Sequence, residues 1–130
     1  AMFKKKEKKT TTDVLFGKTV CTVPWNVRTQ EKDETVDSWE DAEDCILDMF
    51  GDEDEFVTLT TADARHNIRY IQACQGKEGI IVQAGIEEGE HTRLVEKVCL
   101  EEECLDIFEE FYHSANVQGL DQYKPVEFFI

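Results

Sequence analysis

Between Asp33 and Ala64 the chain carries no lysine and no arginine, while thirteen aspartates and glutamates occupy the same stretch. The absence rules out neutralisation of that charge by helical i, i+4 pairs within the segment. The stretch is nonetheless no polar tail, because Trp39, Ile46, Leu47, Met49, Phe50, Phe56, Val57 and Leu59 are threaded through it. Other absences narrow the chemistry. No apolar run reaches the roughly 18 residues that a membrane span needs. There is no P-loop, no G-x-G-x-x-G and no G-x-S-x-G. Asp52-Glu53-Asp54-Glu55 runs straight into Phe56, without the glycine a calcium loop requires. There is no C-x-x-C, and the one close pair, Cys99 and Cys104, has no further ligands at a recognised zinc spacing. His66, His91 and His113 fall at a predicted loop, strand start and helix end, and no nucleophile is placed beside them. These absences lead us to expect a protein that is not an enzyme and that uses no metal and no cofactor.

What is present is a globular composition. Of 130 residues, 41% are hydrophobic, with eight Phe, three Tyr and two Trp, enough for one domain with a real core. The net charge is -15. Five lysines against Glu7 give the first nine residues +4, so the other 121 (130 minus 9) hold -19 (-15 minus 4). Residues 1–12 read as a basic disordered tail, with Ala1 ahead of Met2 a cloning scar, and 13–130 as a single domain. A solvated arm is the plain reading of the tail; folding back on the acidic body or meeting an anionic surface are the others. Outside it no basic stripe exists for phosphates, so neither nucleic acid nor membrane is an expected partner. The five cysteines are odd in number, and their positions suit buried thiols better than disulfides. A cytoplasmic setting follows as an expectation.

The pattern of elements predicts an α+β domain with a mostly antiparallel sheet of about four to six strands, packed by two amphipathic helices. Val14 to Val23 is strand-like and Asn26 to Thr35 reads as a polar loop. A helix is expected from Asp37 or Ser38, where Asp37 and Glu40 make a capping-box pattern, to Gly51. Phe56 to Thr60 reads as a strand. An antiparallel meander then follows: Ile68 to Gln75, Ile80 to Glu87, and His91 to Cys99, with a turn at Glu88-Gly89. Leu94 and Val98 are assigned to its core face. Arg69, Arg93 and Lys97 then fall on the opposite face, together with Gln83, Ile71, Ile81 and Val95. A second helix spans about Leu100 to Ala115, with Cys104, Ile107, Phe108, Phe111, Tyr112 and Ala115 at helical spacing. Val126 to Ile130 is apolar, either an edge strand or a packed tail.

Two surfaces are candidates for function. The first is the acidic helix and loop: Glu40, Asp41, Asp44, Asp48, Asp52, Glu53, Asp54 and Glu55, with Trp39 as an aromatic anchor beside them. A solvated acidic face and a core tryptophan are the bland alternatives. The functional reading is an electrostatic platform that speeds encounter with a basic protein. The second is the outer sheet face, where Arg69, Arg93 and Lys97 would hold a small anion in a ligand-binding or regulatory module. Cross-strand pairing with acids such as Glu87 is its alternative.

The stretch Asn67-Ile-Arg-Tyr-Ile-Gln-Ala-Cys74, then Gly79-Ile-Ile-Val-Gln83, a charged strand and the helix Ile107-Phe108-Glu109-Glu110-Phe111-Tyr112 resembles small bacterial immunity proteins of polymorphic-toxin or contact-dependent inhibition systems. The resemblance covers roughly residues 35 to 115. It implies a small acidic α+β protein that neutralises one cognate toxin by occluding its active site or an adjacent exosite. The resemblance carries over no individual binding residue; the carboxylate-dense helix and loop add the expectation that the partner is a basic toxin domain, such as a nuclease.

Overall fold

A computed structural model describes residues 25–126. Strand β1 (Trp25–Arg28) opens the described chain and turns into β2 (Asp33–Val36). Helix α1 (Trp39–Phe50) follows, then β3 (Phe56–Thr61), β4 (Ile68–Gln75), β5 (Ile80–Glu88) and β6 (His91–Cys99). Helix α2 (Glu101–Ser114), a short 3-10 turn (Leu120–Gln122) and the two-residue β7 (Lys124–Pro125) complete it. All strands join one antiparallel seven-stranded sheet in the order β2-β1-β3-β4-β5-β6-β7. The α+β class matches the sequence pattern, with more strands than the four to six expected. The strand-like Val14 to Val23 and most of Val126 to Ile130 lie outside the described residues.

The helices share one face of the sheet. Alternation along the strands sends Trp25, Val27, Val57, Leu59, Ile71, Ala73, Val82, Ala84 and Val95 beneath them, all buried. Helix α1 adds Trp39, Ala42, Ile46 and Met49, and α2 adds Cys104, Phe108 and Phe111. An aromatic cluster joins the helices to the edge of the sheet. The Trp25 ring lies 5.2 Å from Phe111, edge-on, and 5.2 Å from Tyr112; Tyr112 in turn lies 5.9 Å from Trp39. Burial, with Asp37 and Glu40 near, pushes the Tyr112 hydroxyl up to about 12.

Helix ends follow local chemistry. Ser38, rather than Asp37, caps α1, its hydroxyl accepting from the Asp41 amide at 3.3 Å. At the other end the Gln75 side-chain amide donates to the carbonyls of Met49 (3.0 Å) and Phe50 (2.9 Å), fastening α1 to β4. Helix α2 has no side-chain cap, and three glutamates in its first turn meet the dipole instead.

Two expectations are corrected. Asn26 to Thr35 is not a loop but most of the β1–β2 hairpin, with Trp25 opposite Val36 and Arg28 opposite Asp33. The face assignment of β6 is inverted: pairing with β5 sets Val95 opposite Ala84 and Cys99 opposite Ile80 on the covered face. Leu94 and Val98 therefore lie on the open face, and Val98 is 50% exposed. Ile71, expected on that open face, is fully buried.

Thiol environments follow from this layering. Burial pushes the Cys45 thiol up, the Cys99 thiol up to about 11, and the Cys104 thiol higher still. Cys74 is half-buried, on the open face opposite Ile81. In dilute, monomeric protein Cys74 is expected to be alkylated by maleimide at neutral pH well before Cys45, Cys99 or Cys104, as read by peptide mapping in a time course. Equal labelling of Cys104 would contradict this packing.

Candidate functional site

The carboxylates of α1 follow from its amphipathic pattern. With Trp39, Ala42, Ile46 and Met49 turned to the sheet, Glu40, Asp41, Asp44 and Asp48 are left exposed. Glu40, Asp44 and Asp48 recur at i, i+4, so they share one stripe and repel each other by about 0.2–0.5 kcal/mol per pair. Among the described residues none of them makes an ion pair; the ion pairs there lie elsewhere, from Asp63 onward. Leu47 sits between them on the same outer surface, 47% exposed. In the sequence it reads as one more apolar residue of the segment. Its spacing off the stripe formed by Ala42, Ile46 and Met49 was the available signal.

The loop after α1 divides into structural and free carboxylates. Asp52 accepts from the Asp54 amide at 2.9 Å, a local turn. Glu55 accepts from the Phe56 amide at 3.0 Å and from the Gln30 amide at 2.9 Å. The Gln30 side chain also donates to the Asp54 carbonyl, so the loop is stitched to the β1–β2 turn. Glu53 and the Asp54 carboxylate are exposed, with no bond among the described residues. The candidate acidic residues of α1 and of the loop that follows it are thus exposed except for Glu55, which is half-buried, and Asp52 and Glu55 hold the loop's shape. Trp39 does not stand among them: 8% exposed, it supports α1 from beneath, against Tyr112.

Arg69, Arg93 and Lys97 are not brought together. Arg69 donates from Nε to Glu87 at 2.7 Å and also to the Thr61 carbonyl, and the partnership with Glu87 pushes its pKa up. Arg93 pairs with Glu88 at 2.8 Å, and Lys97 with Glu103 while lying over the Tyr123 ring. Arg93 and Lys97 are on the helix-covered side with Val95, at its margins, for the register reason given above. Cross-strand and strand-to-helix pairing accounts for all three.

The open face has its own order. One row of cross-strand partners traverses the whole sheet, from Asp33 and Arg28 through Thr58, Gln72 and Gln83 to Glu96 and Lys124. Side-chain bonds run along it: Thr58 to Gln72 at 3.3 Å, Gln72 to Gln83 at 2.7 Å, Gln83 to Glu96 at 2.9 Å. Tyr70 lies on the flanking row, its ring over Gly85, where a Cβ would come within 2.4 Å of the ring. A shallow depression of about 360 Å³ lies towards β1, lined by Arg28, Phe56 and Tyr70 among others. Among the described elements nothing packs on this face.

No protein-family model, curated protein or solved structure matches the chain.

Proposed function

We propose that this chain is a protein-binding module, of the immunity type, whose acidic helical surface engages and neutralises a cognate basic toxin domain. The observation that carries the reading is the exposed stripe of α1. Glu40, Asp44 and Asp48 repel one another without a described counter-charge, around an exposed Leu47. Such a surface lowers the stability of the free protein, and a basic partner converts the same repulsion into attraction. The carboxylates would stand in for phosphates before a basic groove, which fits a nuclease domain in particular. Leu47 supplies the apolar contact that charge alone lacks.

The test is capture from native cell extract at low salt, using the wild type and a variant carrying Asp44→Lys and Asp48→Lys. A single basic protein held by the wild type, lost by the variant and released by salt supports the reading. Equal retention by both proteins, or no specific partner, sinks it. Leu47→Ala is expected to weaken binding of that partner by about 10-fold. The same change should move folding stability by under about 0.5 kcal/mol, because the side chain is exposed. Calorimetry and urea unfolding read the two effects.

A further inference from the structure

We infer that the open face of the sheet is an interface with a second copy of this chain, with β4 on the two-fold axis. The central row is charge-balanced in a protein of net charge -15: Asp33 and Glu96 against Arg28 and Lys124. The order of those charges matters more than their sum. Counting across the sheet, Asp33 is on the first strand, Arg28 on the second, Glu96 on the sixth and Lys124 on the seventh. A dyad parallel to the strands and passing over β4 lays the first strand of one copy over the seventh of the other. Asp33 then faces Lys124 and Arg28 faces Glu96, each pair twice. Thr58 faces Gln83, and Gln72 meets its own symmetry mate.

The other in-plane dyad, perpendicular to the strands, lays every strand over itself. It sets Asp33 on Asp33, Arg28 on Arg28 and Glu96 on Glu96, which like-charge repulsion forbids. Of the two aligned packings, the charge row therefore selects one. The flanking apolar row agrees with it, because Phe56 on the third strand then faces Ile81 on the fifth. Stacked sheets lie about 10 Å apart with strands within about 30° of parallel, a separation these side chains fill. Seven strands at about 4.8 Å, averaging about 20 Å in length, give roughly 600 Å² per copy, so about 1,200 Å² in all, the lower edge of a stable interface. The carboxylates of α1 and α2 point away from this interface, on the outsides of the pair. The proposed acidic docking surface stays open, and the inference does not depend on it.

The experiment is sedimentation velocity of the full chain across the micromolar range, with Arg28→Glu, Glu96→Arg and the double reversal. A dimer is expected, with each single reversal weakening it about 100-fold and the double reversal restoring it to within about 3-fold. In a Cys21→Ser background, a short bis-maleimide should join two chains through Cys74, which the dyad places beside its own mate. That cross-link needs no folded variant on the open face. A monomer at every concentration would overturn the inference. So would a dimer indifferent to both single reversals, which would place the contact at a sheet edge. A monomer whose Cys74 resists the reagent would also overturn it, showing the face covered within one chain or by a different partner.

Discussion

Phe111→Ala is expected to lower the melting temperature by about 10–20 °C, a loss of about 3–5 kcal/mol. Phe111 is fully buried and meets the Trp25 ring edge-on at 5.2 Å. Removing it opens a cavity where β1 and α2 converge. The surrounding rings have little freedom to collapse into it, because Tyr112 is already held between Trp25 and Trp39. The lost transfer energy and the residual cavity therefore add. Against a total stability of about 5–15 kcal/mol the loss is a large fraction. Phe111→Leu, which keeps most of the volume, should cost under about 1.5 kcal/mol. Urea unfolding at constant m-value separates the two; a cost below about 1 kcal/mol for the alanine variant would contradict the aromatic cluster as the join between helices and sheet.

The second large effect belongs to the acidic stripe. Reversing Glu40, Asp44 and Asp48 to lysine together is expected to slow association with the proposed basic partner by about 100-fold at low salt. Each reversal adds two charges, so the net charge moves from -15 to -9. The fold should be indifferent: one like-charge stripe replaces another, and the poorer match at the helix N-terminus offsets the better match at its C-terminus. At high ionic strength the two association rates should converge, because the Debye length shrinks from about 10 Å at 0.1 M to about 3 Å at 1 M. Neutral replacement by Gln and Asn should fall between. An unchanged rate in the lysine variant at low salt would remove α1 from the encounter.

The parts of the fold legible in the sequence are those where hydrophobic period and turn chemistry agree. The β4–β5 connection at Gly76 to Gly79 is such a place, closed by the Gly76 amide on the Gly79 carbonyl at 2.7 Å. Helix α1 was legible through its apolar spacing, although Ser38 rather than Asp37 caps it. The β1–β2 hairpin was not, because its strands are only four residues each and their open-face side chains, Asn26, Arg28, Asp33 and Thr35, are those of a loop. The face of β6 is not legible in the sequence for a related reason. Leu94 and Val98 are more apolar than Arg93 and Lys97, so composition pointed inward where register points out. The acidic surface was legible as charge; the structural duty of Asp52 and Glu55 was not, since it rests on amides from Asp54, Phe56 and Gln30. Trp39 illustrates the limit of residue type as a guide to interfaces: its helical spacing with Ala42 and Ile46 put it in the core.

Docking of a basic partner on the acidic helix, as proposed, is decided by amide chemical-shift mapping of the labelled protein with and without the captured basic protein. Perturbations are expected to concentrate on Glu40 to Asp48 and on Glu53 and Asp54, with the open-face residues of β4 and β5 unmoved. Perturbations confined to Tyr70, Gln72, Ile81 and Gln83, with α1 silent, would contradict it.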